Sequence, residues 1–271
     1  MKLGFLGTGA ITSAMVTGLN SPSSSSFSGA GVGQHSILLS PRNAALAADL
    51  AGRYPQVSVA SSNQEVVDEC DSIVVAVRPQ IAERVLSELH FPPDRNIVSL
   101  VSGFSVRRLA SLVAPATRVA RAVPLPSAAR RRSPTAIYPR DRDAVDLFAL
   151  LGAAFAVDSE REFDALCTAT ATMAAYFAFA DGAASWLARN GILPDQARDY
   201  IARIYAGLSD TAMEHPERSF QALAADHATR GGTNEQILTA LTAHGVFEKF
   251  SEGLDGVMRR VTAAGAVVLP E

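Results

Sequence analysis

The sequence is poor in the residues that staple, chelate or bind polyanions. Two cysteines, Cys70 and Cys167, stand among 271 residues. They are too few for a disulfide framework and read as reduced core residues of a cytoplasmic protein. The five histidines are scattered, with no metal-like spacing and no cysteine partner, so no metal site is expected. Twenty-four Lys and Arg against 27 Asp and Glu leave a net charge of −3. Without a basic field, no nucleic-acid partner is expected. The uncharged run 165–180 is shorter than the ~18 residues a membrane helix needs, contains three threonines, and is flanked by Asp164 and Asp181. No membrane association is expected. Lys2 and the apolar residues after it could pass for a secretion signal, but Gly4, Gly7 and Gly9 break that run and no cleavage site follows. There is no G-x-S-x-G elbow, which disfavours a serine hydrolase.

What is present suits a folded core: 48% hydrophobic and 19% charged residues. Apolar runs "KLGFL", "SILLS", "VSVA", "SIVVAV" and "NIVSLVS" read as strands. They alternate with helical patterns at residues 10–19, in "RNAALAADLAGRY", in "NQEVVDEC" and in "PQIAERVLSEL". This alternation predicts an α/β, doubly wound parallel sheet with right-handed crossovers. "NSPSSSSFSGAGVGQH" reads as a low-complexity surface loop. Beyond about residue 160 strands stop. Residues 162–191 read as one long helix ending at Gly191, followed by a helix from Pro194 to before Pro216 and shorter ones around "SFQALA", "TNEQILTALTAHG" and "VFEKFSEGLDGVMRRVTAAG". The long helix is apolar on nearly every face, which a helical domain of this size cannot bury alone. A second copy of the chain is expected to cover it. The expected domains are 1–158, binding a dinucleotide, and 159–271, all-helical.

The stretch "GFLGTGAITSAM" carries the first functional signal. After a strand, Gly7 allows a tight turn. Gly9 has no side chain and admits a pyrophosphate to the backbone, and the helix from Ala10 and Ile11 aims its first amides at that charge. Thr12 stands where a third glycine would serve close helix–strand packing, which the helix can accommodate by sitting slightly further out. At the end of the second strand "LLSPRN" offers Ser40, Arg42 and Asn43, with no acid before Asp49. A forked guanidinium beside a hydroxyl and an amide suits a 2′-phosphate. NADP(H) is therefore the preferred cofactor, with NAD(H) as the other one such a turn admits.

With "SPRN", the segment "SSNQEVVDECDSIVVAVRPQ" resembles the pyrroline-5-carboxylate reductase family. "SSNQEVVDECDSIVVAVRPQ" is similar to the family's fourth strand and its Val-Lys-Pro-Gln segment. "NIVSLVSGFSVRRL" looks like the next strand and its turn, and "RAVPLPSA" like Arg-Val-Met-Pro-Asn-Thr-Pro-Ala. "FDALCTATATMAAYFAFADGAASWL" is similar to the helix with Ser-Gly-Ser-Gly-Pro-Ala-Tyr, and "HATRGGTNEQI" to Ser-Pro-Gly-Gly-Thr-Thr. The resemblance runs from residue 3 to about 262 with motifs in order. It implies a Rossmann domain, a helical dimerisation domain, and NADPH-dependent reduction of a cyclic imine carboxylate, 1-pyrroline-5-carboxylate, to L-proline. It implies cofactor contacts at Gly7, Gly9, Ala10, Ile11, Ser40, Arg42, Asn43, Asn63, Val77, Arg78 and Pro79. It implies a substrate site at Thr170, Thr172, Thr229, Arg230, Gly231, Gly232, Thr233 and Asn234, with Thr233 and Asn234 at the reacting ring. It further implies a homodimer through the helical domain, in which the loop of one subunit completes a site partly formed by the other.

The chain departs from that pattern at Leu125, Met173, Arg230 and Asn234, where the family has Asn, Gly, Pro and Thr. Asn234 can still donate a hydrogen bond to the ring nitrogen. Hydride transfer to an imine protonated in solution requires no strong general acid. His227, near the loop, could donate a proton and also reads as a structural histidine. The loop amides from Gly231 to Asn234 would take the substrate's carboxylate. Arg230 would take a second acid on a larger imine, or point to water. Three functions remain in view. They are this reductase, acting on pyrroline-5-carboxylate or a different imine; a cofactor-binding relative without catalysis; and, last, a hydroxy-acid dehydrogenase. The last would want a Lys or His to move a proton, and the helical half has no lysine before Lys249.

Overall fold

A computed structural model describes residues 2–21 and 35–265. Most of the expected serine- and glycine-rich loop lies outside the described residues. The described residues form two compact units, Thr168–Arg259 and the remainder.

The first unit is built on eight strands: β1 Lys2–Leu6, β2 Ser36–Leu39, β3 Val57–Val59, β4 Ser72–Val75, β5 Asn96–Ser99, β6 Arg118–Val123, β7 Ser133–Tyr138 and β8 Gly152–Ala156. Between them run α1 Ala10–Asn20, α2 Ala44–Arg53, α3 Asn63–Glu69, α4 Pro79–Ser87, α5 Val106–Leu112, a 3-10 turn at Pro126–Arg130, and α6 Arg142–Ala149; α7 Glu160–Ala169 follows β8. The order across the sheet is β3-β2-β1-β4-β5-β6-β7-β8. All neighbours are parallel except β6 and β7, which pair antiparallel from Arg121↔Tyr138 to Val123↔Ala136. The expected doubly wound parallel sheet is present, with that one antiparallel pair in it. The three last strands escaped the hydrophobic pattern for a physical reason. "RVARAV" carries two arginines, "SPTAIY" a proline, and "GAAFA" is mostly alanine, all weak strand signals in isolation.

Side-chain alternation along the strands divides the core into two layers. Leu3, Phe5, Ile37, Leu39, Val74 and Val98 face Met15, Val16 and Leu19 of α1, Leu50 of α2 and Phe148 of α6. Leu6, Leu38, Ile73, Val75 and Ile97 face Val66 and Val67 of α3, Leu86 of α4 and Leu109 of α5. Both faces are covered, which explains why β4 is apolar without alternation.

The second unit contains α8 Thr172–Arg189, α9 Pro194–Glu214, α10 Phe220–His227, α11 Thr233–Ala243 and most of α12 Val246–Gly265. The single helix expected over 162–191 is two helices, α7 and α8. Thr170 and Ala171 separate them. There the Ala171 amide bonds the Thr168 carbonyl at 3.0 Å, and Thr172 Oγ1 donates to the Ala169 carbonyl at 2.8 Å. Threonine hydroxyls competing for backbone partners interrupt a run that apolar periodicity alone would continue. The expected stop at Gly191 holds. Its φ is +92°, its amide bonds Ala188, and the next amide reaches back to Leu187.

Within one chain α8 has no buried residue. Phe177 is 68% exposed, and Tyr176, Phe179 and Trp186 are also open. An open groove of about 470 Å³ runs between α8 and α9, lined among others by Tyr176, Phe177, Arg198 and Ile201. By length and composition alone, Glu160–Arg189 is also apolar enough to cross a membrane, with mean hydropathy 1.2 over its most apolar window.

Candidate functional site

The carboxyl ends of β3, β2, β1 and β4 lie side by side. The chain leaves β1 toward β2 on one side and later returns through β4 on the other, so a topological switch point falls between β1 and β4. Open parallel sheets bind ligands at such a crevice.

Gly7, directly after β1, has φ +103°, and a Cβ there would lie 2.6 Å from the Ala76 carbonyl oxygen beyond β4. Only glycine fits that turn. Gly9 caps α1 at its N-terminus, and a Cβ there would meet nothing within 4 Å. No side chain caps this helix and no acid stands in its first turn. Among the described residues no side chain caps the first amides of α1, which is the arrangement a pyrophosphate needs.

Thr12 is fully buried, and its Oγ1 donates to the Gly7 carbonyl at 2.7 Å. Where a glycine was expected to be replaced at the cost of distance, a hydroxyl instead bonds the turn. The tight approach of α1 occurs two turns later. A Cβ on Gly18 would fall 2.1 Å from the Ala128 carbonyl in the 3-10 turn.

The expected contacts after β2 divide into two kinds. Ser40 is buried and its Oγ accepts from the Gly7 amide at 2.8 Å, while its carbonyl accepts from Thr8 Oγ1 at 3.0 Å. Asn43 Nδ2 donates to the Thr8 carbonyl at 2.9 Å. These two side chains brace the turn. Arg42 is exposed, with no hydrogen bond or ion pair to a described residue. Its guanidinium remains available for an anion. Asn63 is half-buried at the start of α3, Val77 half-buried after β4, Arg78 exposed as the N-cap of α4, and Pro79 its first residue.

The second unit holds the other expected residues. Thr172 opens α8 and bonds back across the break, and Thr170 lies in the break itself. Thr229, Arg230, Thr233 and Asn234 are exposed around the turn into α11, where Gly231 has φ +74°. The Gly232 amide donates to the Thr229 carbonyl at 2.8 Å, and the Gly231 amide to Glu235 Oε2 at 2.7 Å. Asn234 Nδ2 donates to the His227 carbonyl at 3.1 Å. His227 Nδ1 lies 2.9 Å from the Leu223 carbonyl, so this nitrogen carries a proton and donates within α10.

Sequence reasoning missed a buried charge cluster in the first unit. Arg121 on β6 is 8% exposed by side chain, with Nη1 3.3 Å from Glu160 and 3.6 Å from Asp164. Its guanidinium stacks 4.4 Å over the Phe163 ring. Glu160 also accepts from the Val106 amide at 2.9 Å. Burial raises the pKa of Asp164 against the pull of Arg121. Burial likewise pushes the Cys167 thiol up to about 11. The signal was an arginine inside the apolar run "RVARAV" together with acids at 160 and 164 on one helix face.

Residues 2–103 match the sequence model of a family described as "NADP oxidoreductase coenzyme F420-dependent", and residues 160–263 match that of "Pyrroline-5-carboxylate reductase dimerisation". The pyrroline-5-carboxylate reductase of Pseudomonas aeruginosa is 26% identical over 185 residues, covering 65% of this chain and 64% of that protein. A pyrroline-5-carboxylate reductase structure from Streptococcus pyogenes superimposes with a TM-score of 0.81 at 24% identity, covering 98% of this chain and 99% of the other. One from Plasmodium falciparum, with NADP bound, gives 0.79 at 18% identity and covers 98% of each chain. At those identities the structural likeness is one of fold. The two sequence matches follow the same order as the turn at Gly7 and the loop before α11, and residues 160–263 belong to the pyrroline-5-carboxylate reductase dimerisation family.

Proposed function

We propose that the chain reduces a cyclic imine carboxylate with NADPH, 1-pyrroline-5-carboxylate to L-proline first among the candidates. The observation that carries this reading is the uncapped, acid-free start of α1 beside Gly9, together with an Arg42 that pairs with no described residue. In this reading Gly7, Gly9, Ala10 and Ile11 receive the pyrophosphate, and Arg42 receives the 2′-phosphate through its forked donors. Ser40 and Asn43 act by holding the turn in shape. Asn63, Val77, Arg78 and Pro79 line the approach to the nicotinamide half. NADPH held by these residues would supply the hydride for the imine carbon.

The loop Thr229, Arg230, Gly231, Gly232, Thr233 and Asn234, with Thr170 and Thr172, forms the substrate side. Thr233 and Asn234 hold the ring nitrogen, orienting the imine carbon. Residues 1–158 make the cofactor half and 159–271 the substrate and dimerisation half. A second copy covers the open face of α8, which lets a cytoplasmic homodimer bury Phe177 and Trp186. The match of 160–263 to a dimerisation family supports that partner over a lipid one.

The test is loss of reduced-nicotinamide absorbance when purified protein meets NADPH and 1-pyrroline-5-carboxylate, with NADH in parallel. Proline formation with preference for NADPH is expected. Tight NADPH binding without turnover on any cyclic imine would leave only the cofactor half of the reading standing.

A further inference from the structure

We propose that Asp181 and Arg198 make two reciprocal ion pairs across a two-fold interface between copies of this chain, and that this charge pairing fixes how the copies recognise one another. The surface is the apolar groove between α8 and α9, and its occupant is a second copy. This rests on the reading that a second copy covers α8.

Asp181 is the one charged residue of α8 before its terminal Arg189. The helix buries nothing within a single chain. Its groove wall carries Phe177, Ala180, Asp181, Ala184 and Ala188, which recur at three and four residues and so form one continuous face. The alanines let a partner helix come close along that face. The facing wall, on α9, carries Arg198 and Ile201. Asp181 and Arg198 are both exposed, and neither makes a hydrogen bond or ion pair with a described residue.

In water such charges are tolerated. Once the groove is covered, a carboxylate without a cation becomes strongly unfavourable. Arg189 lies more than two helical turns further on and cannot serve. A lipid or an apolar peptide laid in the groove would leave Asp181 buried and alone. A second copy answers it. In a two-fold interface the same patch lies on both sides, so if one residue meets another, the reverse contact is made as well. A groove that presents an acid and a base is complementary to itself. Asp181 meets the partner's Arg198, and Arg198 meets the partner's Asp181, with the guanidinium fork matched to the carboxylate. A shifted register would bring like charges together, so the pair selects one docking and disfavours the others. The match of residues 160–263 to a dimerisation family supports a copy of the same chain as the partner.

The test is a charge exchange in the full chain, read by sedimentation across a concentration series with circular dichroism as the check on folding. Asp181→Arg sets like charges against each other at both contacts of a dimer, and so does Arg198→Asp. Each variant alone keeps its helix content and dissociates at least about tenfold more readily than wild type. The two variants are then co-expressed, with an affinity tag on one. One copy is positive at both positions and the other negative, so both contacts are satisfied again. The dimer returns and is nearly all mixed, where random pairing would give about half. If each variant dimerises as tightly as wild type, the pairing is overturned while the dimer reading stands. If the variants dissociate and the mixture does not recover, the two charges act within one chain and the proposal is overturned. A variant that folds only when co-expressed with its complement supports the proposal, and one that folds in neither case overturns it. A wild-type chain that stays monomeric overturns the proposal and the dimer reading together, and its flotation with phosphatidylcholine vesicles would identify lipid as what covers α8.

Discussion

The Thr12 hydroxyl donates to the Gly7 carbonyl across 2.7 Å of buried space, tying the first turn of α1 to the residue that leaves β1. The bond substitutes a polar lock for the close packing a third glycine would have provided. Thr12→Ala should cost about 1 kcal/mol by leaving the half-buried Gly7 carbonyl without this donor, while Thr12→Ser keeps the bond and costs less. Urea unfolding of the two variants checks this. Equal losses would show that the methyl group, not the hydroxyl, matters at this position.

Arg42 is exposed and pairs with no described residue, so its removal should leave the folding midpoint where it is. Arg42→Ala should raise KM for NADPH about tenfold, a loss of roughly 1.4 kcal/mol, with much less effect on NADH. Steady-state kinetics with both cofactors measures the ratio. A parallel fall for both would remove the 2′-phosphate role.

Asp164 and Arg121 should respond in opposite directions. Burial holds the folded-state pKa of Asp164 above its ordinary value, with Arg121 pulling it down and Glu160 pushing it up. The folded state therefore binds this proton more tightly than the unfolded state does. The stability it contributes is fully present below the unfolded carboxyl pKa and is lost as pH rises through the folded one. At neutral pH the ionised Asp164 is a burden, so Asp164→Asn should unfold at an equal or higher urea concentration than wild type. That gain should vanish as the pH falls below about 4, where the carboxyl is protonated in both states. Arg121→Ala should instead cost about 1–3 kcal/mol by taking the buried guanidinium from the partly buried Asp164 and the more open Glu160.

Phe177 is exposed in a single chain, so Phe177→Glu should leave the helical content of that chain intact. If a second copy covers α8, each partner loses the burial of one phenyl ring, about 1.5–3 kcal/mol, and the dimer weakens by at least ~100-fold. Sedimentation across a concentration series reads this directly. An unchanged mass would place the interface elsewhere.

Much of the first unit was legible because its signals are local. Gly7 must be glycine for its φ, the apolar runs of β1, β4 and β5 need burial on both faces, and Arg42 follows β2 with no acid beside it. The strands β6, β7 and β8 were not legible. Alanine, arginine and proline become strand residues there only because neighbouring strands supply their hydrogen-bond partners. The break at Thr170 was hidden for a related reason, since periodicity reports which face is apolar and not where a side-chain hydroxyl takes a backbone carbonyl.

The sequence by itself determined the alternating α/β half, the helical half, the glycine turn after β1 and the family resemblance, because each depends on residue types at short spacing. The tertiary structure decided how polar groups were committed. Ser40 and Asn43, expected at a ligand, brace the turn through Gly7 and Thr8. Thr12, expected as a spacer, locks it. Glu235, one more helix-start acid in the sequence, holds the Gly231 amide. A hydrogen-bonding group carries no mark of its partner in the chain, and only when the backbone is brought round is its donor or acceptor chosen.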